Sequence, residues 1–409
     1  MKFDTIIIGG GLAGYSCGIR LQKAGRKCAV ISTGESSLYF SSGTMGLLDA
    51  EDPVGELDKL GPEHPYSKIG RERFVEYASQ IQPFFSEAGI SLEGSPLGCR
   101  WRMSPTGNMV RCWMAMEGVT SFGEEKPYLG AKVLIVNFLG FLDFNTAFIA
   151  ETLERSGSAC TVEAVKLEEF ERLRHSATEM RSTNIARALD REETITSLIN
   201  AVKPLAEGYD TVVLPAVFGL SREGTSGKVA RGIGVDTVFI GTMPPSVPGI
   251  RTQMQLSKSF QALGGRIFQG DTVIAGNWEG ETLRSVRTAN IDDMDIKADN
   301  FVLASGSFFS KGLAATPYAI LEPALGLDVD FSGDRNGWYD LKFFNRQNYI
   351  GFGVRTGRDF RAFRGGVECS NVYAAGSVLS GANSLAEGCG AGTAVMTALA
   401  VADNILKEE

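Results

Sequence analysis

Three short stretches of the chain carry residue types suited to cradling a phosphate-bearing cofactor. The first is Gly9-Gly10-Gly11-Leu12-Ala13-Gly14. Gly9 allows a tight turn, Gly11 has no side chain to block a phosphate, and Gly14 lets a following helix lie close to a sheet. The N–H groups freed at that helix start then face an anion. The second is Ser305-Gly306-Ser307, small residues that let the backbone pass close to a bound group. The third runs from Gly376 to Ser384, with Gly376, Ser377, Gly381, Asn383 and Ser384 as candidates, and leads through Gly390-Ala391-Gly392 into a helix. Ser41, Ser42, Gly43 and Thr44 form a further polar run that suits a loop wrapping a cofactor chain, or equally a polar turn before a buried strand. A dinucleotide or flavin is the ligand such a set implies.

Other chemistry is thinly represented. Arg355, Arg358, Arg361 and Arg364 recur at every third position and form the strongest anion signal outside the glycine turn; the competing reading is solvated charge. Arg100, Arg102 and Arg111 could line a second anionic pocket or sit on a half-exposed strand. The two histidines, His64 in a Pro-Glu-His-Pro loop and His175 in a charged run, read as surface groups, so no catalytic base is assigned. The seven cysteines are scattered with no CxxC, which argues for reduced thiols and against iron–sulfur ligation; no metal site is expected.

The elements that must position these residues follow from pattern. Lys2–Ile8 is a β-branched strand, residues 15–24 a helix and residues 27–31 a second strand, together a mononucleotide-binding unit. The end of the second strand normally holds an acid that meets the adenosine ribose. Here it holds Ser32, with Glu35 three residues late. Either Ser32, Thr33 or Glu35 meets the ribose, or the cofactor is a mononucleotide such as FMN. Strands alternating with helices through residues 132–214 argue for a second α/β layer. Residues 272–278 and 283–289 form a hairpin, 297–304 a strand, 348–354 a strand-like run, and the arginine-rich stretch a loop. The expected organisation is a flavin-binding part over 1–60, an inserted substrate or partner domain over 61–248, and the rest of the flavin-binding part over 249–409, with 310–365 open to either. The net charge of −8 speaks against nucleic acid, and no apolar run reaches membrane-spanning length.

A resemblance adds to this. Residues 6–14, Phe301-Val302-Leu303-Ala304-Ser305-Gly306 and Asn371-Val372-Tyr373-Ala374-Ala375-Gly376 resemble the glutathione-reductase-like flavoproteins. The expected fold is therefore α/β: a Rossmann-like flavin-binding domain of the glutathione-reductase type with an inserted second α/β domain. Ser41–Gly46 and the run Gly381–Gly390 carry a closer resemblance, over essentially the whole chain, to the B subunits of anaerobic glycerol-3-phosphate dehydrogenase. That resemblance implies FMN, with FAD as the alternative. It also implies a catalytic FAD subunit and a membrane-anchoring iron–sulfur subunit as partners, a small phosphorylated substrate, and peripheral placement at the cytoplasmic side of the inner membrane. The implied reaction is oxidation of sn-glycerol 3-phosphate to dihydroxyacetone phosphate, with electrons passing to the quinone pool in anaerobic respiration. Ser32 departs from the superfamily pattern in a way that fits FMN. Ser377 also stands where the superfamily often has an acid, which leaves ribityl binding to Ser380, Asn383 or backbone groups. Two rivals are a free-standing FAD oxidoreductase and a non-catalytic assembly subunit.

Overall fold

The computed structural model describes residues 2–176, 178–291 and 295–408. The chain forms two compact units, one made of Met1–Ser37, Gly46–Ile81 and Gln255–Glu409, the other of Leu38–Met45 and Gln82–Met254. Residues 61–81, expected in the inserted part, therefore pack within the first unit, and 38–45 pack within the second.

The first unit is built on an eight-stranded sheet. Its parallel core runs, in order, Arg266–Gln269, Cys28–Ser32, Lys2–Ile8, Ile296–Leu303 and Val367–Ala374. The central strands are continuous apolar runs because both faces of the sheet are covered; Ile6, Ile7, Phe301 and Val302 are fully buried. The hairpin Val273–Glu279/Thr282–Thr288 pairs antiparallel along the first half of Ile296–Leu303, and Arg361–Arg364 pairs with Val367–Ala374. Helices Leu12–Lys23 and Gly390–Lys407 pack on each other. The turn after Val367–Ala374 passes close to the first of these helices: a Cβ on Gly376 would lie 2.8 Å from Ala13 Cβ.

The register has a functional consequence. Ile8 stands opposite Ile31 on one side and Leu303 on the other, and Leu303 stands opposite Ala374. Four parallel strands thus end level, and the segments beginning at Gly9, Ser32, Ala304 and Ala375 leave the same sheet edge. The chain winds outward in one direction through Cys28–Ser32 and Arg266–Gln269. It winds in the other through Ile296–Leu303 and Val367–Ala374, so the switch point lies beside Lys2–Ile8. Ligands of open α/β sheets bind at that kind of crevice.

The second unit has its own four-stranded parallel sheet, ordered Asp236–Ile240, Thr211–Pro215, Lys132–Phe138 and Ala159–Val165. Helices Thr146–Arg155, Ser182–Leu189, Glu192–Val202 and Thr225–Ile233 supply its core with Ile149, Leu153, Ile185, Leu198 and Val229. Residues Leu92–Gly94, Met114–Met116 and Thr44–Met45 add a small antiparallel sheet.

Local patterns differ from expectation in two places of the first unit. The run 348–354 is a short 3-10 turn, Asn348–Gly351, followed by the two-residue strand Gly353–Val354, which pairs with Val329–Asp330. Arg361–Arg364 is a strand, not loop, because an adjacent strand edge is there to pair with. Among the described residues, no helix is long and apolar enough to cross a membrane.

Candidate functional site

The level strand ends bring three of the four expected stretches to one edge of the first unit. Gly9 has a φ of +120°, and a Cβ there would strike the Ala304 carbonyl, its carbon only 2.5 Å away. A Cβ on Gly14 would collide with the Gly9 carbonyl oxygen. These two glycines are therefore demanded by the packing of the turn itself. Gly11 differs. A Cβ there would have Ser36 Cβ at 3.6 Å as its nearest neighbour, so the space beside it is open. Gly11 also caps helix Leu12–Lys23 with no side-chain hydrogen bond, and the first turn holds no acid. An uncapped helix start with open space before it favours an anion.

Ser305 and Gly306 follow the neighbouring strand. Ser305 Oγ is buried with no hydrogen-bond partner, and a Cβ on Gly306 would lie 3.7 Å from Ser377 Oγ, which places the second and third stretches together. Gly376 N–H donates to Thr397 Oγ1 at 2.9 Å, tying the third stretch to the C-terminal helix. An open glycine cradle and an orphaned buried hydroxyl fit a phosphate-bearing cofactor lying along this edge.

Other expected residues are used differently. Ser32 is buried, and its Oγ donates to the Gly34 carbonyl at 3.2 Å and accepts from Gly34 N–H at 3.4 Å. The loop that follows brings Ser36 beside Gly11. Asn383 organises its own loop: Nδ2 donates to the Gln347 carbonyl at 2.9 Å and Oδ1 accepts from Ala386 N–H at 3.1 Å. Ser380 Oγ donates to Asp330 at 3.0 Å. Gly381 fits tightly against the Glu63 backbone, and Ser384 lies near Gly390. Ser41, Ser42, Gly43 and Thr44 belong to the second unit. There Ser41 Oγ donates to Ser246 Oγ at 3.3 Å, the Ser42 and Thr44 hydroxyls share a hydrogen bond of 2.8 Å, and Thr44 pairs with Ala115.

The four arginines do not converge. Arg355 bonds Asp330 at 2.7 Å and lines an open cavity of about 600 Å³ with Glu63, Phe331, Phe352 and Thr356. Arg361 pairs with Glu408 and Asp359 and lies over the Tyr373 ring; Arg364 stacks on Trp278; Arg358 is exposed. A strand sends alternate side chains to opposite faces, so spacing by three cannot build one stripe here. In the second unit, Arg100 is held by Glu93 and Ser121, and Arg111 lies over Trp101.

A cluster that the sequence does not announce sits at the C-terminal helix start of the first unit. His64, expected on the surface, has a side chain only 2 % exposed, with Nε2 lying 3.3 Å from Glu387 Oε2. The distance is within ion-pair reach, although the N–H is not aimed well enough for a hydrogen bond. His64 Nδ1 accepts from Tyr66 N–H at 3.1 Å, which caps the short helix Pro65–Ile69. Glu387 also accepts from Asn383 N–H at 2.9 Å, from Arg346 at 2.9 Å and from the Cys389 thiol at 3.8 Å. Burial pushes its carboxyl upward, but His64, Arg346 and the Asn383 N–H together hold it below its ordinary value. Burial drives the Cys389 thiol up to about 12, so it stays a neutral donor. His64, Glu387 and Cys389 place their ligand atoms within 4.8 Å of one another, but the carboxylate is already engaged by the loop around it. The only sequence signals were Pro65 after His64 and the inclusion of Glu387 in the Gly381–Gly390 run.

A family described as an FAD binding domain matches residues 4–393. This overturns the expectation of FMN. The missing acid at Ser32 does not exclude the adenosine half, since the following loop returns Ser36 to the glycine turn and offers polar groups there. The chain is 38% identical over 419 residues to the B subunit of anaerobic glycerol-3-phosphate dehydrogenase from Pectobacterium carotovorum subsp. carotovorum (strain PC1), covering 100% of this chain and 99% of that one. It is 38% identical over 418 residues to the protein of the same name from Yersinia enterocolitica serotype O:8 / biotype 1B, covering 99% and 98%. With the one from Actinobacillus pleuropneumoniae serotype 5b (strain L20) the identity is 34% over 424 residues, covering 99% of each.

Proposed function

The chain belongs to the family of anaerobic glycerol-3-phosphate dehydrogenase B subunits and to that of FAD binding domains, and from this premise we propose that it carries FAD in the cradle of its first unit and passes electrons within a quinone-linked glycerol-3-phosphate dehydrogenase. In the reaction, sn-glycerol 3-phosphate loses its C2 hydrogen with two electrons and its hydroxyl proton, yielding dihydroxyacetone phosphate. A bound flavin supplies a two-electron acceptor that can pass electrons on singly. The observation that carries the reading is the level ending of Lys2–Ile8, Ile296–Leu303 and Val367–Ala374, from which the three small-residue stretches emerge together.

The residues divide the work as follows. Gly11 and the start of helix Leu12–Lys23 receive the pyrophosphate, with Gly9 and Gly14 shaping the turn. Ser36 and the Ser32–Gly34 turn meet the adenosine side. Ser305, Gly306, Gly376 and Ser377 border the flavin side, and we read the fold as one of the glutathione-reductase type. The part played here is a relay. His64 is buried against Glu387 and His175 is exposed at the end of helix Glu168–Arg174, so neither histidine serves as a hydroxyl base. The partners are a catalytic flavoprotein subunit and an iron–sulfur subunit that holds the assembly at the cytoplasmic face of the inner membrane.

Two measurements test this. Cofactor released by mild denaturation should chromatograph and weigh as FAD; recovery of no flavin sinks the proposal. The isolated chain, mixed anaerobically with glycerol 3-phosphate, should keep its flavin oxidised, whereas the assembled complex should be reduced within the mixing time. Rapid reduction of the isolated chain removes the relay and makes it the dehydrogenating subunit itself.

A further inference from the structure

Among the described residues, the first unit presents several large apolar side chains to solvent. Leu341, Phe343 and Phe344 are 91%, 83% and 96% exposed, and Phe309, Tyr318 and Leu385 are 68%, 90% and 80% exposed. Large apolar side chains scattered singly are ordinary, but a concentration of this kind marks an interaction site.

The loop that carries the first three is rigidly built. The Gln347 side-chain amide reaches the carbonyls of Asp340, Lys342, Phe343 and Asn345 at 3.1–3.3 Å. Asp340 accepts from Lys342 N–H at 2.7 Å and from Asn345 Nδ2 at 3.1 Å. Arg346 is anchored on Glu387, and Asn383 holds the Gln347 carbonyl, so the loop is fastened to the segment that leads into the C-terminal helix. Its polar backbone is satisfied inward while the phenyl rings of Phe343 and Phe344 stand outward, edge to face at 5.3 Å. The surroundings belong to the same surface. Arg335 stacks on Trp338 at 4.5 Å and reaches the Thr316 carbonyl beside Tyr318, while Tyr349 N–H donates to the Trp338 carbonyl at 2.8 Å and the Tyr349 ring meets Phe308 edge to face.

We propose that this face, centred on Leu341, Phe343 and Phe344, is where another subunit of the complex docks; the inference rests on the multi-subunit reading above. Fully covered, the six exposed side chains would bury roughly 800 Å², about one partner's share of a stable interface. Rigid aromatic anchors with arginine beside them are the composition of binding hot spots. A bilayer fits less well. Membrane-seeking tips carry clustered cations, whereas here Arg346 is spent on Glu387 and the whole chain carries a net charge of −8. The partner should offer an apolar groove that admits the Phe343–Phe344 pair, with an acidic group near Lys342.

The test is co-expression of the complex with a tag on this chain, comparing the natural sequence with the triple variant L341S/F343S/F344S. The natural chain should retain its companion subunits, identified by mass. The variant should lose them roughly tenfold or more, as expected for removal of hot-spot anchors. Its flavin-to-protein ratio and melting temperature should not change, because the three side chains are solvent-facing. Retention of the companions by the variant overturns the proposal. So does flotation of the isolated natural chain, but not the variant, with vesicles of phosphatidylcholine and phosphatidylglycerol, which would make lipid the occupant. A dimer of the natural chain that the variant converts to monomer would overturn it in favour of a second copy. Failure of the natural chain itself to hold any companion would instead remove the multi-subunit reading, and the docking face with it.

Discussion

His64 Nε2 lies 3.3 Å from Glu387 Oε2, and this contact joins the start of helix Pro65–Ile69 to the turn that opens the C-terminal helix. Glu387 is the centre of the arrangement, since Arg346, Asn383 and Cys389 also point hydrogen-bond donors at it. The loop leading into the C-terminal helix is therefore shaped by an ionised carboxylate.

That charge sets a pH dependence. The Glu387 carboxyl is held below its ordinary value in the folded chain, so ionisation stabilises the fold above the usual carboxylate range. The contribution disappears as the pH falls through the lowered folded value. Glu387→Gln should cost about 1–3 kcal/mol at neutral pH. Urea unfolding at neutral and at acid pH should show the gap between the natural chain and the variant closing on acidification. An equal deficit at both would mean that the charge is not what matters.

The glycine turn separates packing from binding. Gly14→Ala drives a methyl into the Gly9 carbonyl and should cost about 3 kcal/mol or more. Gly11→Ala meets nothing nearer than Ser36 at 3.6 Å, so the fold should lose only about 1 kcal/mol. Its bound flavin should nonetheless fall sharply, because the methyl occupies the space proposed for phosphate. Melting temperature and flavin absorbance per protein, measured on both variants, check the contrast.

Arg251 is the buried cation of the second unit, 2 % exposed, bonded to the Phe218 and Gly219 carbonyls at 3.0 and 2.7 Å and paired with Glu117 at 3.0 Å. Burial lowers its pKa, while Glu117 works in the opposite direction. Arg251→Met takes the cation from Glu117 and the donor from three carbonyls, those of Phe218, Gly219 and Glu117, and should cost about 3–5 kcal/mol. Denaturant titration reads this directly, and a loss within experimental error would show that the pair contributes nothing.

The thiols should report the core. Cys17, Cys28, Cys112, Cys369 and Cys389 are buried, and burial lifts Cys28 and Cys389 to about 12. Iodoacetamide at mildly alkaline pH should reach the two half-buried thiols, Cys99 and Cys160, first in the folded chain, with Cys389 labelled only after unfolding. Mass mapping of the alkylated peptides decides it.

Much of the flavin-binding part was legible from local pattern. The strand Lys2–Ile8, the glycine turn and helix Leu12–Lys23 are specified by contiguous residues, because β-branched runs, tight turns and helix packing impose demands within a few positions. The same holds for the hairpin Val273–Glu279/Thr282–Thr288 and for most strands of the second unit. Ser32 was legible as a departure but misleading as to cofactor, since the family match is to an FAD binding domain. What meets the far end of a ligand depends on a returning loop, and pattern in one strand does not describe that loop.

Residue order along the chain was enough to say which positions could turn, stack or extend, and, through family likeness, which cofactor-bearing class they serve. Which of them meet was settled in three dimensions. Register across parallel strands placed Gly9, Ala304 and Ala375 at one edge. Folding buried His64 against Glu387 instead of leaving it in solvent. Strand geometry and local acids dispersed four evenly spaced arginines. Each of these outcomes turns on pairing between residues far apart in the chain, where the free energy depends on burial and on the partner that arrives, and neither is encoded in local spacing.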